Sequence, residues 1–244
     1  MNQTIQELFD RKSVRVYTDE PIIQEEKKLI LESALQAPTA GNMALYSIID
    51  IQEQSLKDRL AVLCDNQPFI ARAPLVLVFL ADYQKWYDMF AACAKDTPKL
   101  EEADLFLAME DCLIAAQNAV VAAQSMGIGS CYIGDILENF EELQRLLQLP
   151  KYAVPCAMLI LGRPTPQQLE RQKPKRFELD DIVHVNSYHQ KSFEETKIMF
   201  QKQSGKSEEE LVPYITAFAK RKFYADFREE MNRSVKAILK HWAD

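Results

Sequence analysis

The run from Leu105 to Met126 constrains this chain more than any other segment. Leu, Ala, Val, Ile and Met dominate it on all sides, with polar breaks at positions such as Glu110, Asp111, Gln117 and Gln124. A helix that is apolar all round must be buried all round. A chain of 244 residues can enclose such a helix in its own core, and the seam between two copies would enclose it equally well. We expect the second arrangement, a homodimer.

The remaining composition narrows the function classes. Apolar residues make up 48% and charged residues 27%, which describes a globular chain of one domain or slightly more. With 29 basic against 36 acidic residues the formal charge is −7, so no nucleic-acid footprint is expected. No stretch approaches 18 uninterrupted apolar residues, and no membrane span is expected. Cys64, Cys93, Cys112, Cys131 and Cys156 are odd in number and never form a C-x-x-C pair. The opening Met-Asn-Gln-Thr-Ile lacks the layout of an export signal, and a reducing cytoplasmic setting is expected. Six glycines cannot be arranged into G-x-G-x-x-G or a P-loop, so neither nucleotide fingerprint is present.

Local patterns place the elements. Thr4 followed by Glu7 reads as a capping box for a helix over residues 5–11. Pro21, Glu25 and Glu26 open a second helix, about 22–37, which Pro38 stops. The runs 47–51, 74–81, 130–134 and 154–161 read as buried strands. Residues 164–175 read as a loop leading to a last strand at 182–185. From Ser192 onward the tail is helical in composition, with a break at 204–207.

Two basic clusters stand out, Arg11-Lys12-Ser13-Val14-Arg15 and Lys173-Pro174-Lys175-Arg176. Guanidinium forks, ammonium groups and a hydroxyl meeting at one point would make a site for a phosphate dianion. Read alone, each is equally a solvated patch. Ala37-Pro38-Thr39-Ala40-Gly41-Asn42 and Gly127-Ile128-Gly129-Ser130-Cys131-Tyr132-Ile133-Gly134-Asp135 are rich in small residues beside predicted strands, where a flat ring could approach the backbone or a turn could simply form.

Taken together and in this order, Arg-x-Ser-x-Arg, Ala-Pro-Thr-Ala-Gly-Asn, Gly-Ile-Gly-Ser-Cys-Tyr-Ile-Gly and Lys-Pro-Lys-Arg before Ile-Val-His-Val-Asn-Ser-Tyr resemble the nitroreductase family, in particular its NADPH-dependent flavin and nitro reductase branch. The likeness covers about residues 1–190 and is looser beyond. It implies an α+β fold with a central mixed sheet surrounded by helices, and an intertwined homodimer whose C-terminal extension reaches onto the partner. The implied division is a core of residues 1–190, including the last strand, and a helical extension of residues 191–244. It also implies FMN at the subunit interface and NADPH or NADH as electron donor. Nitroaromatics, quinones or similar electron-poor acceptors would be reduced in two half-reactions at one site. Free FMN or FAD as acceptor, and non-catalytic FMN binding or delivery, are the alternatives.

Residue by residue, the resemblance puts Arg11, Lys12, Ser13 and Arg15 around the FMN phosphate and ribityl chain. Lys173 with Arg176 would close over the phosphate, and Lys175 stands in reserve, because the branch usually has Lys-Pro-Arg. Thr39 and Asn42 would approach the flavin from the partner, Gln67 would meet its polar edge, and Tyr132, Ile133, Gly134 and Asp135 would line the ring. Arg233, in Met231-Asn232-Arg233-Ser234, would stand near the nicotinamide or acceptor pocket. No side chain is nominated as an acid or base, since a flavin carries the redox chemistry itself. His184, His189 and His241 lack partners at metal-ligand spacing, so no metal is expected. The five thiols read as core residues, and Trp86, Tyr87 and Phe90 as core packing or a lid.

Overall fold

The computed structural model describes residues 1–244. The chain divides into two compact units, one of residues 1–171 and 229–244, the other of residues 172–228. The first contains α1 (Gln3–Asp10), α2 (Gln24–Leu35), β1 (Tyr46–Ile51), α3 (Gln54–Leu63), α4 (Pro68–Ala71), β2 (Leu75–Asp82), α5 (Gln84–Cys93), α6 (Glu102–Ser125), β3 (Gly129–Ile133), α7 (Phe140–Leu146), β4 (Ala153–Gly162) and α8 (Pro166–Glu170). The second contains α9 (Leu179–Ile182), α10 (Phe193–Ser204) and α11 (Glu208–Lys222). The last helix, α12 (Asp226–Ala243), belongs to the first unit from Glu229 on.

Strand order in the sheet is β1-β2-β4-β3, and all three pairings are antiparallel. The parallel component within one chain is a single bridge between Ser13 and Ser130, so the mixed character expected of the sheet rests on that bridge alone. β2 and β4 are buried along their whole lengths because helices cover both faces. That two-sided burial explains their near-continuous apolar sequences. Leu75, Leu77, Phe79, Leu159 and Leu161 face a core shared with α2 and α6, while Val76, Val78, Leu80, Met158 and Ile160 face α3, α4 and α7. Cys156 and Ala157 both turn to the first face, since the pairing slips between Phe79 and Leu80. Pro155 sits at that slip, beyond the stretch paired with β3, where its missing N–H breaks no regular ladder.

Several local expectations are corrected. Asn2 caps α1, its Oδ1 accepting from the Ile5 N–H at 3.0 Å, because Asn2 keeps the extended backbone of a cap while Thr4 is already helical. Pro21 lies ahead of α2 instead of in its first turn, and Glu26 reaches back to the Ile23 N–H at 3.1 Å. No strand forms over 182–185. Ile182 ends α9, and Val183 and Val185 are exposed, since an apolar run becomes a strand only where an edge is available to pair with it. Cys93 is exposed on α5, whereas the other four thiols are buried as expected.

By length and composition α6 is apolar enough to cross a membrane, so its packing, not its sequence, marks it as a core helix. Leu105, Ala108, Cys112, Ala115, Ala116, Ala119, Val120 and Ala123 are buried in the core beneath the sheet. The other side is not covered within one chain, and Phe106, Leu113 and Ile114 remain 61%, 46% and 42% exposed. Burial on every side is therefore not achieved by a single copy.

In the second unit, Ser192 and Ser207 each cap a helix through a reciprocal box with Glu195 and Glu210. Gly205 closes α10 in the left-handed conformation, with φ +69°. Phe177 packs edge-on against Phe200 at 5.4 Å.

Candidate functional site

The basic segment after α1 is held flat against the sheet by two glycines. Gly129 and Gly162 are cross-strand partners on β3 and β4. A Cβ on Gly129 would lie 2.7 Å from Val14 Cγ2, and one on Gly162 would lie 2.6 Å from the Tyr17 ring. With both side chains absent, residues 13–17 lie across the strand ends. The Val14 N–H donates to the Ser130 carbonyl at 2.9 Å, and the Tyr17 hydroxyl donates to the Val14 carbonyl at 2.8 Å. Burial raises the Tyr17 phenol well above its ordinary value, so it serves as a neutral donor.

With Val14 turned inward and buried, the neighbours Ser13 and Arg15 are carried toward the other side of the segment. The Arg15 guanidinium stands over the Phe69 ring at 5.6 Å. Arg11 lies close enough to Tyr132 to oppose the rise in its phenol pKa, a rise caused mainly by burial. Lys12 is committed elsewhere: its ammonium donates to the Leu169 carbonyl at 2.5 Å and also to that of Arg171. The Arg171 guanidinium in turn donates to the Ser13 carbonyl.

Gln67, in the turn before α4, meets Asp135 just past the end of β3. Its Nε2 donates to Asp135 Oδ2 at 2.7 Å and to the Cys64 carbonyl at 2.8 Å. One short strand thus carries the basic segment at one end and the Gln67–Asp135 pair at the other. The space over Gly134 is open, and a Cβ there would meet nothing within 4 Å. Tyr132 is half-buried and donates to Gln117 of α6 at 3.4 Å. Ile133 points into the core and can offer only its backbone, contrary to a role for its side chain against a ring.

The loop that carries Thr39 and Asn42 lies on the other face of the sheet from α4, with its neighbours Ala40 and Leu45 in the core shared with α6. Their loop hangs on Asp111, a buried carboxylate that accepts the Ala40 N–H at 2.9 Å and the Leu45 N–H at 3.1 Å. Thr39 Oγ1 accepts the Ala44 N–H at 3.1 Å, and Asn42 is exposed with φ +58°. Trp86 donates to the Met43 carbonyl at 2.6 Å, which makes it a packing residue behind the same loop. Asp111 is invisible as a site element in the sequence, where it looks like one more break in an apolar helix.

Arg233 is a fastener between α12 and α7. It donates to both oxygens of Glu141 at 2.7 and 2.8 Å and to both of Glu230 at 2.8 and 2.9 Å. The guanidinium holds the Glu141 carboxyl down at about 2. The α12 residues Glu230 and Ser234 accept the Asn139 and Phe140 N–H groups at 3.1 and 3.0 Å, satisfying donors at the start of α7. In the second unit, Lys175 donates to the Lys202 carbonyl at 2.8 Å, while Arg176 is exposed.

The site therefore gathers two guanidinium groups, a serine, a tyrosine, an oriented amide and an open glycine backbone along the β3 edge. This donor set fits an elongated ligand with an anionic end and a flat polar-edged end.

A model of the Nitroreductase family matches residues 8–163. An FMN reductase [NAD(P)H] of Bacillus subtilis is 30% identical over 96% of this chain and 97% of its own length. An oxygen-insensitive NADPH nitroreductase of Salmonella typhimurium is 34% identical over 77% of this chain and 75% of its own. Among solved structures, the NADPH:FMN oxidoreductase from Vibrio harveyi complexed with NAD+ superimposes with a TM-score of 0.81 at 25% identity, covering 98% of each chain.

Proposed function

From the premise that this chain belongs to the nitroreductase family, we propose that it is an FMN-dependent NAD(P)H oxidoreductase that reduces nitroaromatics, quinones or similar electron-poor acceptors. The observation that carries the reading is the shared strand, with Ser13 bridged to Ser130 at its start and Gln67 bonded to Asp135 just past its end. The names of the relatives, FMN reductase and NADPH nitroreductase, support the cofactor and the electron donor.

Arg11, Ser13 and Arg15 would hold the FMN phosphate end, Tyr132, Gly134 and Asp135 would lie along the ring, and Gln67 would meet its polar edge. In this reading Lys173 and Arg176 are further phosphate ligands, taken over from the family resemblance alone. Lys175 already donates to Lys202, which favours Arg176 over it. Bound FMN supplies hydride acceptance from NAD(P)H and hydride donation to the acceptor; the protein binds, orients and shields.

The partner subunit would supply Thr39 and Asn42 to that ring. The uncovered side of α6 supports a homodimer, and the exposed run 182–185 and the open edge of β1 are surfaces through which two copies could exchange segments. We place the protein in the cytoplasm as a homodimer acting on small molecules.

Anaerobic addition of NADPH or NADH to the yellow protein should bleach its absorbance near about 450 nm, the oxidised flavin band. A persistent yellow colour with both donors would leave flavin storage as the function, and a protein that cannot take up FMN would overturn the reading. Arg11→Ala and Arg15→Ala should each weaken FMN binding by on the order of 2–4 kcal/mol. That corresponds to roughly 30- to 1000-fold in Kd by fluorescence titration. Unchanged flavin content after long dialysis would remove the residue from the site.

Arg233 is retained as a candidate for the donor nucleotide, with Glu141 and Glu230 as its intramolecular competitors. Arg233→Ala should raise KM for NADPH several-fold while FMN content stays the same. Because these ion pairs are half exposed, the variant should cost only about 1 kcal/mol of stability. The contribution of Glu141 is present above the ordinary carboxylate range and is lost as pH falls toward about 2. An unaltered KM would confine Arg233 to fastening α12.

A further inference from the structure

Gln67 and Asp135 are 68 residues apart in sequence, and their contact decides which end of the glutamine amide is presented outward. A side-chain amide has two N–H donors and one carbonyl acceptor. Both donors of Gln67 are engaged, one by the Cys64 carbonyl and one by the Asp135 carboxylate. Neither partner can donate, so the reversed amide would set oxygen against oxygen twice. The orientation is therefore fixed by the chemistry of the two acceptors, and Oε1 is the group Gln67 has left to offer a ligand.

Asp135 has its own support. Glu138, three residues on, is 4% exposed and lies among the carboxylates of Asp135, Asp65 and Glu230, with its Oε1 buried and unpartnered. Burial first, and then these negative neighbours, push the Glu138 carboxyl up to about 7. Below that pH Glu138 is mostly protonated and adds no negative charge beside Asp135. Burial first, and then Asp135 and Glu138, raise the Cys64 thiol far above its ordinary value, so it stays neutral beside them.

We propose that Asp135 is a positioning residue that locks Gln67 with its carbonyl toward the cofactor, so that the site recognises the N3–H donor on the pyrimidine edge of the flavin. This rests on the reading of the site as one for FMN. An amide free to rotate would meet the neighbouring flavin carbonyls with its N–H groups equally well and would not distinguish the donor position. With Asp135 in place, a flavin lacking the N3 proton meets oxygen lone pairs instead of a complementary acceptor.

The test compares FMN with 3-methyl-FMN, in which that proton is replaced, by fluorescence titration of the full-length apoprotein. The wild type should bind FMN at least tenfold more tightly than the methylated analogue. Asp135→Asn, which is isosteric and puts an amide donor opposite Gln67, should cut that ratio at least fivefold, because Gln67 can then turn its NH2 outward. Gln67→Leu should cut it to the same extent through the other partner, without touching the acidic cluster. Circular dichroism and melting of each apoprotein show whether it is folded. If both variants lose affinity for the two flavins in equal proportion, Asp135 acts only on the fold and the inference is overturned. Wild-type protein that binds neither flavin would instead overturn the FMN reading itself, and a ratio near unity in wild type with tight binding of both would overturn the inference alone.

Discussion

Asp111→Ala is expected to lower the free energy of unfolding by roughly 2–5 kcal/mol, the cost of leaving two buried N–H groups without an acceptor. The carboxylate stands inside an otherwise apolar stretch of α6 and holds both ends of the 40–45 turn. Removing it frees the loop that carries Thr39 and Asn42, so amide exchange at Ala40 and Leu45 should accelerate along with the loss measured in urea. Asp111→Asn keeps one acceptor oxygen and should lose about half as much. If both variants unfold within about 1 kcal/mol of wild type, another acceptor takes over and the loop does not depend on Asp111.

The second large effect is expected at Gly129. Alanine there must place its Cβ within 3 Å of the branched Val14 side chain, which is itself buried and cannot swing aside. Overpacking of this kind costs about 1–3 kcal/mol. The strain falls on the bridge between Ser13 and Ser130, so Gly129→Ala should also weaken FMN binding by more than about tenfold. Gly134→Ala is the control for stability, since its Cβ enters open space. A Gly129→Ala protein with wild-type melting and wild-type flavin affinity would show that the basic segment does not rely on the glycine pair.

These two sites show where sequence reading succeeds and where it stops. β2 and β4 are legible because burial on both faces demands unbroken Val, Ile and Leu, and that demand is written locally. The basic residues at 11–15 are legible as a cluster, yet the sequence does not distinguish Lys12, whose ammonium is used by the Leu169 and Arg171 carbonyls, from Arg11 and Arg15. Gln67 is visible through its motif, but its link to Asp135 joins residues far apart in the chain and leaves no local mark. Asp111 escapes notice for the same reason, its partners being backbone groups that any residue could supply. The run 182–185 has the composition of a strand and no edge in its own unit to pair with, so composition alone overstates it.

The position of Trp242 carries a consequence for how the protein is made. Its indole is fully buried in the core beside Tyr152, and it donates to the Glu101 carbonyl at 3.0 Å at the start of α6. The residue that fills this part of the main core is therefore made well after the sheet and the long helix. Until then a nascent chain has its sheet and long helix in hand but no tryptophan to plug the space beside them. Premature termination just ahead of residue 242 would deprive this body of the wedge beside Tyr152.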